Sequence, residues 1–272
     1  MCWYIGVIYE KRHEMKIEKN NYAQVLKLDK YTELHVLDFT TFSESFTIKL
    51  KEHLINICTG ESSSSLDIVK IRLKNFLSTK KEDTQSGAIA ELLIACYLKI
   101  LGYKQEYLYF NLEEGSIKKG FDGYYSNRGN TYIMESKSTL VSTKVKCHKN
   151  KVGEAYLDLK SYVEGKSKKG TNNPWRNAYN HASHSDVKSK KSVKQKLNAL
   201  ADNFDLKKFN LIEDFNIIPC STIYSFPKES PCPNLSVLSQ KLAFIDIKAK
   251  KKIIICIKSN AISSFFNFLD LL

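Results

Sequence analysis

Apolar positions recur along this chain with two periods, one typical of helices and one typical of strands. In residues 66–77 and 84–101 the apolar side chains have helical spacing; Asp83 can cap the second helix, and Gly102 stands just beyond its end. The turn-forming segment 126–130 lies between two alternating stretches, which predicts a β-hairpin. Further helices are predicted at 151–165, 193–203 and 261–271, and strands at 3–10, 33–39, 107–110, 117–125, 131–138, 215–225, 242–247 and 253–258.

The order of these elements predicts an α/β fold with a mixed central β-sheet flanked by helices. A Ser-rich break at 62–65 and a polar connection at 80–83 indicate a division of the chain. We therefore expect an N-terminal α/β extension over residues 1–80 and a main domain over residues 81–272. Within the main domain, the polar and basic stretch 166–192 is predicted to be a long loop or insertion.

The composition excludes several classes of protein. Of the 272 residues, 43% are hydrophobic and 26% are charged, as in a globular protein and unlike a disordered one. No apolar run approaches the roughly 20 residues of a membrane helix, and the first residues lack the features of a secretory signal, so we expect a cytoplasmic protein with no membrane partner. The seven cysteines include no Cys-x-x-Cys pair, so we expect small buried residues rather than disulfides or zinc ligands.

The positive charge is concentrated in one part of the chain. The formal net charge is +13, and residues 137–196 contain 15 Lys and Arg against 4 Asp and Glu. Such a concentration suits a nucleic-acid backbone, although a solvated lysine-rich surface would give the same pattern. Trp175, Arg176 and Tyr179 could stack on bases. The residues predicted to contact nucleic acid are Lys144, Lys146, Lys149, Lys151, Arg176, Lys188, Lys190 and Lys191.

Three charged residues share the predicted hairpin. Glu135 and Lys137 are two apart on one strand and therefore project from the same face. Asp122 stands on the partner strand, so hairpin pairing can bring it beside Glu135. Two adjacent carboxylates favour a shared hard cation such as Mg²⁺ or Mn²⁺, and a lysine beside them can orient an attacking water or stabilise the phosphate. The arrangement suits metal-assisted phosphodiester hydrolysis; the alternative is a surface hairpin with an ordinary Glu–Lys pair.

Glu91 is a fourth candidate, because it interrupts an otherwise apolar helix. Its neighbours at helical spacing include the small residues Gly87, Ala88 and Ala95, which indicates that a metal or the hairpin approaches it closely. The alternative is that Glu91 pairs with a lysine such as Lys137 or lies on an exposed strip of the helix.

These motifs together resemble the PD-(D/E)xK nuclease superfamily. The resemblance is carried by a helical glutamate, then Gly-Phe-Asp-Gly at 120–123, a turn, and Tyr-Ile-Met-Glu-Ser-Lys at 132–137. It covers roughly residues 84–140, and the order of the motifs agrees with the superfamily. One departure is Phe121, which stands in place of the proline of the family name.

The resemblance implies a restriction-endonuclease-like core in which Asp122 and Glu135 bind Mg²⁺. The backbone carbonyl of Ser136 and the first-helix carboxylate of Glu91 would contribute to the metal site, and Lys137 would be the catalytic lysine. Within the superfamily, the chain resembles the nuclease effector subunits of the Hachiman anti-phage defence system, which implies DNA as the substrate and a helicase subunit as the partner.

Two other functions stay open at this point. A stand-alone restriction endonuclease or junction-resolving nuclease would use the same site residues. A nucleic-acid-binding subunit without catalysis would carry the carboxylates for structure only. His181 and His184 have no third ligand at zinc spacing, and we interpret them as contacts to solvent or phosphate.

Overall fold

The computed structural model describes residues 17–19, 21–110, 120–140, 148–167, 172–224, 238–240, 242 and 245–270. The strands are β1 (Ile17–Lys19), β2 (Gln24–Asp29), β3 (Thr32–Phe39), β4 (Lys104–Gln105), β5 (Gly123–Asn127), β6 (Asn130–Leu140), β7 (Asn216–Tyr224) and β8 (Lys251–Ser259). The helices are α1 (Glu44–Thr59), α2 (Leu66–Ser78), α3 (Glu82–Ile100), α4 (His148–Val163), α5 (Pro174–Ser183), α6 (Lys191–Asp205) and α7 (Ala261–Asp270).

These strands form one sheet in the order β1-β2-β3-β8-β7-β6-β5-β4. The four central strands, β3, β8, β7 and β6, run parallel to one another. The outer strands pair antiparallel. Because parallel neighbours need long crossover connections, helices join the central strands, as α4, α5 and α6 do between β6 and β7. The prediction of an α/β fold with a mixed central sheet flanked by helices is confirmed.

Helices cover both faces of the sheet with apolar side chains. Helices α1, α2, α3 and α7 pack on what we call the α3 face, where Met134 and Ile218 are buried. Helices α4, α5 and α6 pack on the α4 face, where Ile133 and Ile217 are buried. Because side chains alternate along a strand, the odd-numbered residues of β6 lie on the α4 face and the even-numbered ones on the α3 face.

The predicted hairpin is present, with a tighter turn than the sequence indicated. The partners Asn127 and Asn130 close the β5–β6 ladder, so only Arg128 and Gly129 form the turn. Both have positive φ, 46° and 79°. Two successive residues in this left-handed region give the turn whose twist matches a β-hairpin, and glycine adopts it without strain.

Most of the other predicted elements agree with the structure within a few residues. Two local predictions are wrong. Asp83 lies inside the first turn of α3, and Lys81 occupies the cap position without a side-chain cap. Residues 107–110 are not a strand, because the amides of Tyr109 and Phe110 donate to carbonyls at the end of α1 and not to a sheet ladder. The strand in this region is β4, a few residues earlier.

The prediction of a long loop over 166–192 is also wrong. This segment contains α5 and the first residues of α6, and residues 168–171 lie outside the described part of the chain. Asn173 caps α5, because its Oδ1 accepts hydrogen bonds from the amides of Trp175 and Arg176 at 3.0 and 3.1 Å. Helix α5 has a clear apolar stripe but only ten residues and a low overall apolar content, so the polar composition of the segment concealed the helix.

Several predictions fall partly or wholly outside the described residues, including the strand at 3–10 and the start of the one at 117–125. The described residues of 242–247 form turn hydrogen bonds, from Ile245 N to Leu242 O for example, so the strand predicted there is wrong. Residues 24–39, within the expected N-terminal extension, continue the main sheet through the β3–β8 pair.

The four cysteines in the described ranges are buried, as expected: Cys58, Cys96, Cys220 and Cys256. No helix in the described part of the chain is both long and apolar enough to cross a membrane.

Candidate active site

The hairpin brings Asp122 next to Glu135. The regular ladder of β5 and β6 ends at the pair Gly123 and Met134, so Asp122 lies just beyond it. The backbone amide of Asp122 donates to the carbonyl of Met134 at 3.1 Å, one residue out of the register of the ladder. Glu135 lies on the α4 face with the other odd-numbered residues of β6, and Asp122 is close enough for its charge to raise the pKa of Glu135.

Asp122 is fixed by a backbone hydrogen bond. The amide of Ser136 donates to Oδ2 of Asp122 at 2.8 Å. Because the N–H and C=O of one residue point to the same side of a strand, the carbonyl of Ser136 also points toward Asp122. The regular ladder of β5 and β6 ends at Gly123. The carbonyl expected to help bind a metal therefore lies on the same side of β6 as the Asp122 carboxylate.

Glu135 is a buried carboxylate, with only 3% of its surface exposed. Its Oε2 has no hydrogen-bond partner among the described residues. Burial and the charge of Asp122 raise the pKa of Glu135 well above its usual range, and the ammonium group of Lys137 acts in the opposite direction. A desolvated carboxylate of this kind is unfavourable unless a cation compensates it.

Lys137 joins the hairpin to α4. Its Nζ donates to Oε1 of Glu135 and lies 2.8 Å from Oδ2 of Asp158. Burial acts against the charge of Lys137, but the carboxylates of Glu135 and Asp158 outweigh it and raise the pKa above its ordinary value. The lysine is thus held as a cation between two carboxylates.

Asp158 is a site residue that the sequence analysis missed. It lies on α4 between the buried residues Tyr156 and Leu159, facing the sheet rather than solvent. The only sequence signal was an acidic residue next to the apolar stripe of the helix. That signal does not reveal which strand the helix packs against.

Two tyrosines lie within the electrostatic reach of the carboxylates. Burial first, and then the charges of Asp122 and Glu135, raise the pKa of Tyr107. Burial, followed by the negative charge of Glu135, also raises the pKa of Tyr162 on α4. The ring of Tyr107 stacks on His181 with centroids 3.9 Å apart. Both tyrosines therefore lie close enough to the site for its carboxylates to act on their hydroxyl groups.

Glu91 approaches the site from the other face of the sheet. One turn before it in α3, a Cβ at Gly87 would lie 3.7 Å from Oγ of Ser138, which belongs to the α3 face. The charge of Glu91 nonetheless raises the pKa of Tyr107. The described residues contain no group of three or more His, Cys, Asp and Glu close enough to hold a metal. The geometry thus provides a pair of carboxylates, and the role of Glu91 stays a prediction.

Several of the residues predicted to contact nucleic acid are engaged within the protein. Nζ of Lys151 lies 2.5 Å from Glu154, and Lys188 pairs with Glu61. The guanidinium of Arg176 bridges Asp202 and Asp205 at 2.7 and 3.1 Å. Lys190 and Lys191 are exposed, Lys149 is half-buried, and Lys144 and Lys146 lie outside the described residues.

Two interpretations of residues in α5 are wrong. Trp175 cannot stack on bases, because its side chain is fully buried and its ring stacks on Phe215 with centroids 5.0 Å apart. His181 does not contact solvent, because it is buried and its Nδ1 accepts a hydrogen bond from the amide of Leu108 at 3.2 Å. Both residues fill the core under the α4 face.

Comparison with known proteins gives no family for this chain: no protein-family model matches it, and no curated protein matches it. The functional assignment therefore depends on the chemistry of the site.

Proposed function

We propose that this protein is a Mg²⁺-dependent nuclease that hydrolyses DNA phosphodiester bonds at Asp122, Glu135 and Lys137. The observation that carries the proposal is the buried Oε2 of Glu135, which lacks a hydrogen-bond partner among the described residues and has a second carboxylate, Asp122, as its neighbour. Placing a half-buried carboxylate beside a buried one is unfavourable in a protein that uses them only for structure. A shared cation removes the conflict.

The donor atoms fit a hard divalent cation. The carboxylates of Asp122 and Glu135 and the carbonyl of Ser136 are all oxygen donors, and sulfur and imidazole are absent from this set. Mg²⁺ is commonly held by one or two carboxylates and keeps several waters, so a two-carboxylate site suits it, and Mn²⁺ could substitute. When bound, such a cation would stabilise the charge that develops on a phosphate and make a bound water more acidic.

The protein's own groups have separate tasks in this proposal. The Ser136 amide orients Asp122, and the ion pair with Asp158 holds the ammonium of Lys137 beside Glu135. A fixed cationic donor at this position can stabilise a phosphate oxygen or align an attacking water without reorganising during the reaction. Because its carboxylate neighbours keep Lys137 charged, we assign it an electrostatic role and not that of a general base.

Cutting of supercoiled plasmid DNA tests the proposal directly. We expect the wild-type protein to cut in Mg²⁺ or Mn²⁺ and not in EDTA, and Glu135→Gln and Lys137→Ala to remove cutting. The matched control is Glu164→Gln, which changes another buried carboxylate, paired with Lys166 at the far end of α4. Cutting by Glu135→Gln at the wild-type rate would overturn the assignment.

Metal binding can be measured without activity. Bound Tb³⁺ luminesces when a nearby tyrosine absorbs, and Tyr107 and Tyr162 lie close enough to sense the site carboxylates. We expect sensitised luminescence with the wild-type protein, displacement of Tb³⁺ by Mg²⁺, and a large loss of signal in Glu135→Gln. A nucleic-acid-binding subunit without catalysis would show neither cutting nor this dependence on Glu135.

The wider role rests on the sequence resemblance. We propose an anti-phage defence function together with a helicase subunit, with a stand-alone restriction or junction-resolving nuclease as the alternative. Defined fragments from a plasmid would favour a site-specific enzyme, whereas complete degradation would favour a defence effector.

A further inference from the structure

One edge of the sheet collects the N-terminal ends of its four parallel strands. The register places Thr32 of β3 beside Lys252 of β8, and Lys251 of β8 beside Asn216 of β7. Asn216 in turn donates through Nδ2 to the carbonyl of Thr131 at the start of β6, at 2.9 Å. The starts of these strands therefore lie side by side.

This edge is strongly basic. The stretch Lys248-Ala249-Lys250-Lys251-Lys252 leads into β8, and Lys196 of α6 reaches the same edge, where its Nζ donates to Oγ1 of Thr131 at 2.9 Å. We call the five residues Lys196, Lys248, Lys250, Lys251 and Lys252 the basic edge. Desolvation lowers the pKa of Lys196, and repulsion by the positive charge of Lys250 lowers it further.

The basic edge is poorly neutralised by the protein itself. Four of its lysines form no ion pair with any described residue: Lys196, Lys250, Lys251 and Lys252. The fifth, Lys248, has a long ion pair, with 4.0 Å between its Nζ and Oδ2 of Asp246. Two other acidic residues, Asp29 and Glu33, are close enough for the charges of Lys252 and Lys251 to lower their pKa values, but neither forms an ion pair with these lysines. Asp29 accepts hydrogen bonds from the amide of Tyr31 and the hydroxyl of Thr32, and Glu33 pairs with His35.

Part of the basic stretch 137–196, to which Lys196 itself belongs, is different in this respect. There, Lys151, Lys188 and Arg176 each have a carboxylate partner. A cationic surface without internal partners gains the most binding free energy from a polyanion. Binding releases the counterions that are condensed on the polyanion.

Lys196 of the basic edge lies on the same side of the sheet as the candidate active site. Thr131, which Lys196 contacts, and Glu135 are both odd-numbered residues of β6 and share the α4 face. The two residues are four positions apart, which is roughly 13 Å along a strand. That distance corresponds to about four base pairs along the axis of a DNA duplex.

We propose that the basic edge binds the phosphate backbone of DNA beside the bond that is cut. The choice of DNA rests on the proposed nuclease function, whereas the binding itself does not require catalysis. The basic edge holds the duplex by its phosphates, independently of sequence, and so sets the direction in which DNA leaves the site.

The test is the salt dependence of binding to a fluorescent 30-base-pair duplex, measured by anisotropy in EDTA so that no cutting occurs. The variant replaces three exposed lysines of the basic edge by glutamine: Lys196, Lys248 and Lys250. The control removes the same charge from three exposed lysines on the other side of the sheet: Lys51, Lys74 and Lys81.

We expect the slope of log affinity against log salt to fall by about 3 in the basic-edge variant, since each lost phosphate contact removes about one unit. Its affinity at physiological salt should fall by at least tenfold, while the control binds as the wild type does. Equal slopes and affinities in the two variants would overturn the proposal. If the triple variant does not fold, the single variant Lys250→Glu, which changes one exposed side chain, is measured instead. We expect it to lower the salt slope and the affinity for DNA, and a variant that binds as the wild type does would overturn the proposal.

The two proposals can fail separately. A protein that binds DNA through the basic edge but never cuts it would retain this inference and lose the nuclease assignment. A protein that cuts DNA, with the basic-edge variant binding like the wild type, would retain the nuclease and lose the basic edge.

Discussion

Lys137 on β6 and Asp158 on α4 are joined by an ion pair of 2.8 Å that links the central sheet to the helix above it. The same lysine donates to Glu135, so one ammonium group depends on a strand and a helix that are separate in sequence. The position of the proposed catalytic lysine is therefore set by the packing of α4 as well as by the hairpin.

Replacing Asp158 by Asn should slow DNA cutting without abolishing it. The amide keeps the shape of the side chain but removes the negative charge that holds the ammonium group of Lys137 in place. We expect a decrease of about 10- to 100-fold in the single-turnover rate, with substrate affinity little changed. The control is Asp202→Asn, which alters an exposed partner of Arg176 away from the site. A rate equal to the wild type's would show that Asp158 does not position the lysine.

Gly120→Ala should both destabilise the protein and reduce activity. Gly120 has φ 121°, and a Cβ there would lie 2.9 and 3.0 Å from Cβ and Cα of Pro174, which are rigid atoms. We expect a loss of about 1–3 kcal/mol in the free energy of unfolding, measured in urea, and slower cutting because Asp122 is only two residues away. Gly129→Ala is the matched control, since its φ is 79° with nothing within 4 Å. Equal losses in both variants would attribute the effect to backbone strain alone.

His148 should make the protein less stable in acid. Its Nδ1 hydrogen-bonds Oγ of Ser221 at 2.9 Å, and burial lowers the pKa of His148 from 6.5 to about 4. The unfolded chain therefore takes up this proton first as the pH falls. The contribution is complete above pH 6.5 and is lost progressively toward pH 4, on the order of 3 kcal/mol in all. Urea unfolding at several pH values should show a weaker pH dependence for His148→Asn than for the wild type, and identical curves would refute the prediction.

Trp175 should behave as a core residue. It is fully buried between Phe121 and Phe215. Trp175→Ala is expected to lower the free energy of unfolding by about 3–5 kcal/mol. Trp175→Phe should cost less, because the substitution keeps an aromatic ring and removes an indole N–H that has no partner among the described residues. A variant that kept full stability and lost only DNA affinity would restore the base-stacking interpretation.

The hairpin could be read from the sequence because its determinants are local. Alternating apolar residues and the Asn-Arg-Gly-Asn segment at 127–130 specify the strands and the turn between them, and this pairing brings Asp122 close to Glu135. The geometry of the carboxylate pair could therefore be predicted without knowledge of the rest of the fold.

The contacts between distant elements could not be read in the same way. Whether a lysine is neutralised depends on partners far along the chain, as for Lys188 and Glu61, and composition alone does not reveal them. The local concentration of charge drew attention to 137–196, whereas the less conspicuous lysines at 248–252 have fewer partners. The same reasoning applies to Asp158, whose role exists only once α4 lies on β6.

The parallel pairing of β3 with β8 has a consequence for how the protein is made. Oγ of Ser259 donates to the carbonyl of Phe39, 220 positions earlier, so β3 can pair with β8 only after β8 has been synthesised. Strands β6 and β7 lie earlier in the chain and can pair with each other before that point. Strand β3 therefore waits with an unpaired edge, and until β8 arrives this edge is open to pairing with other chains.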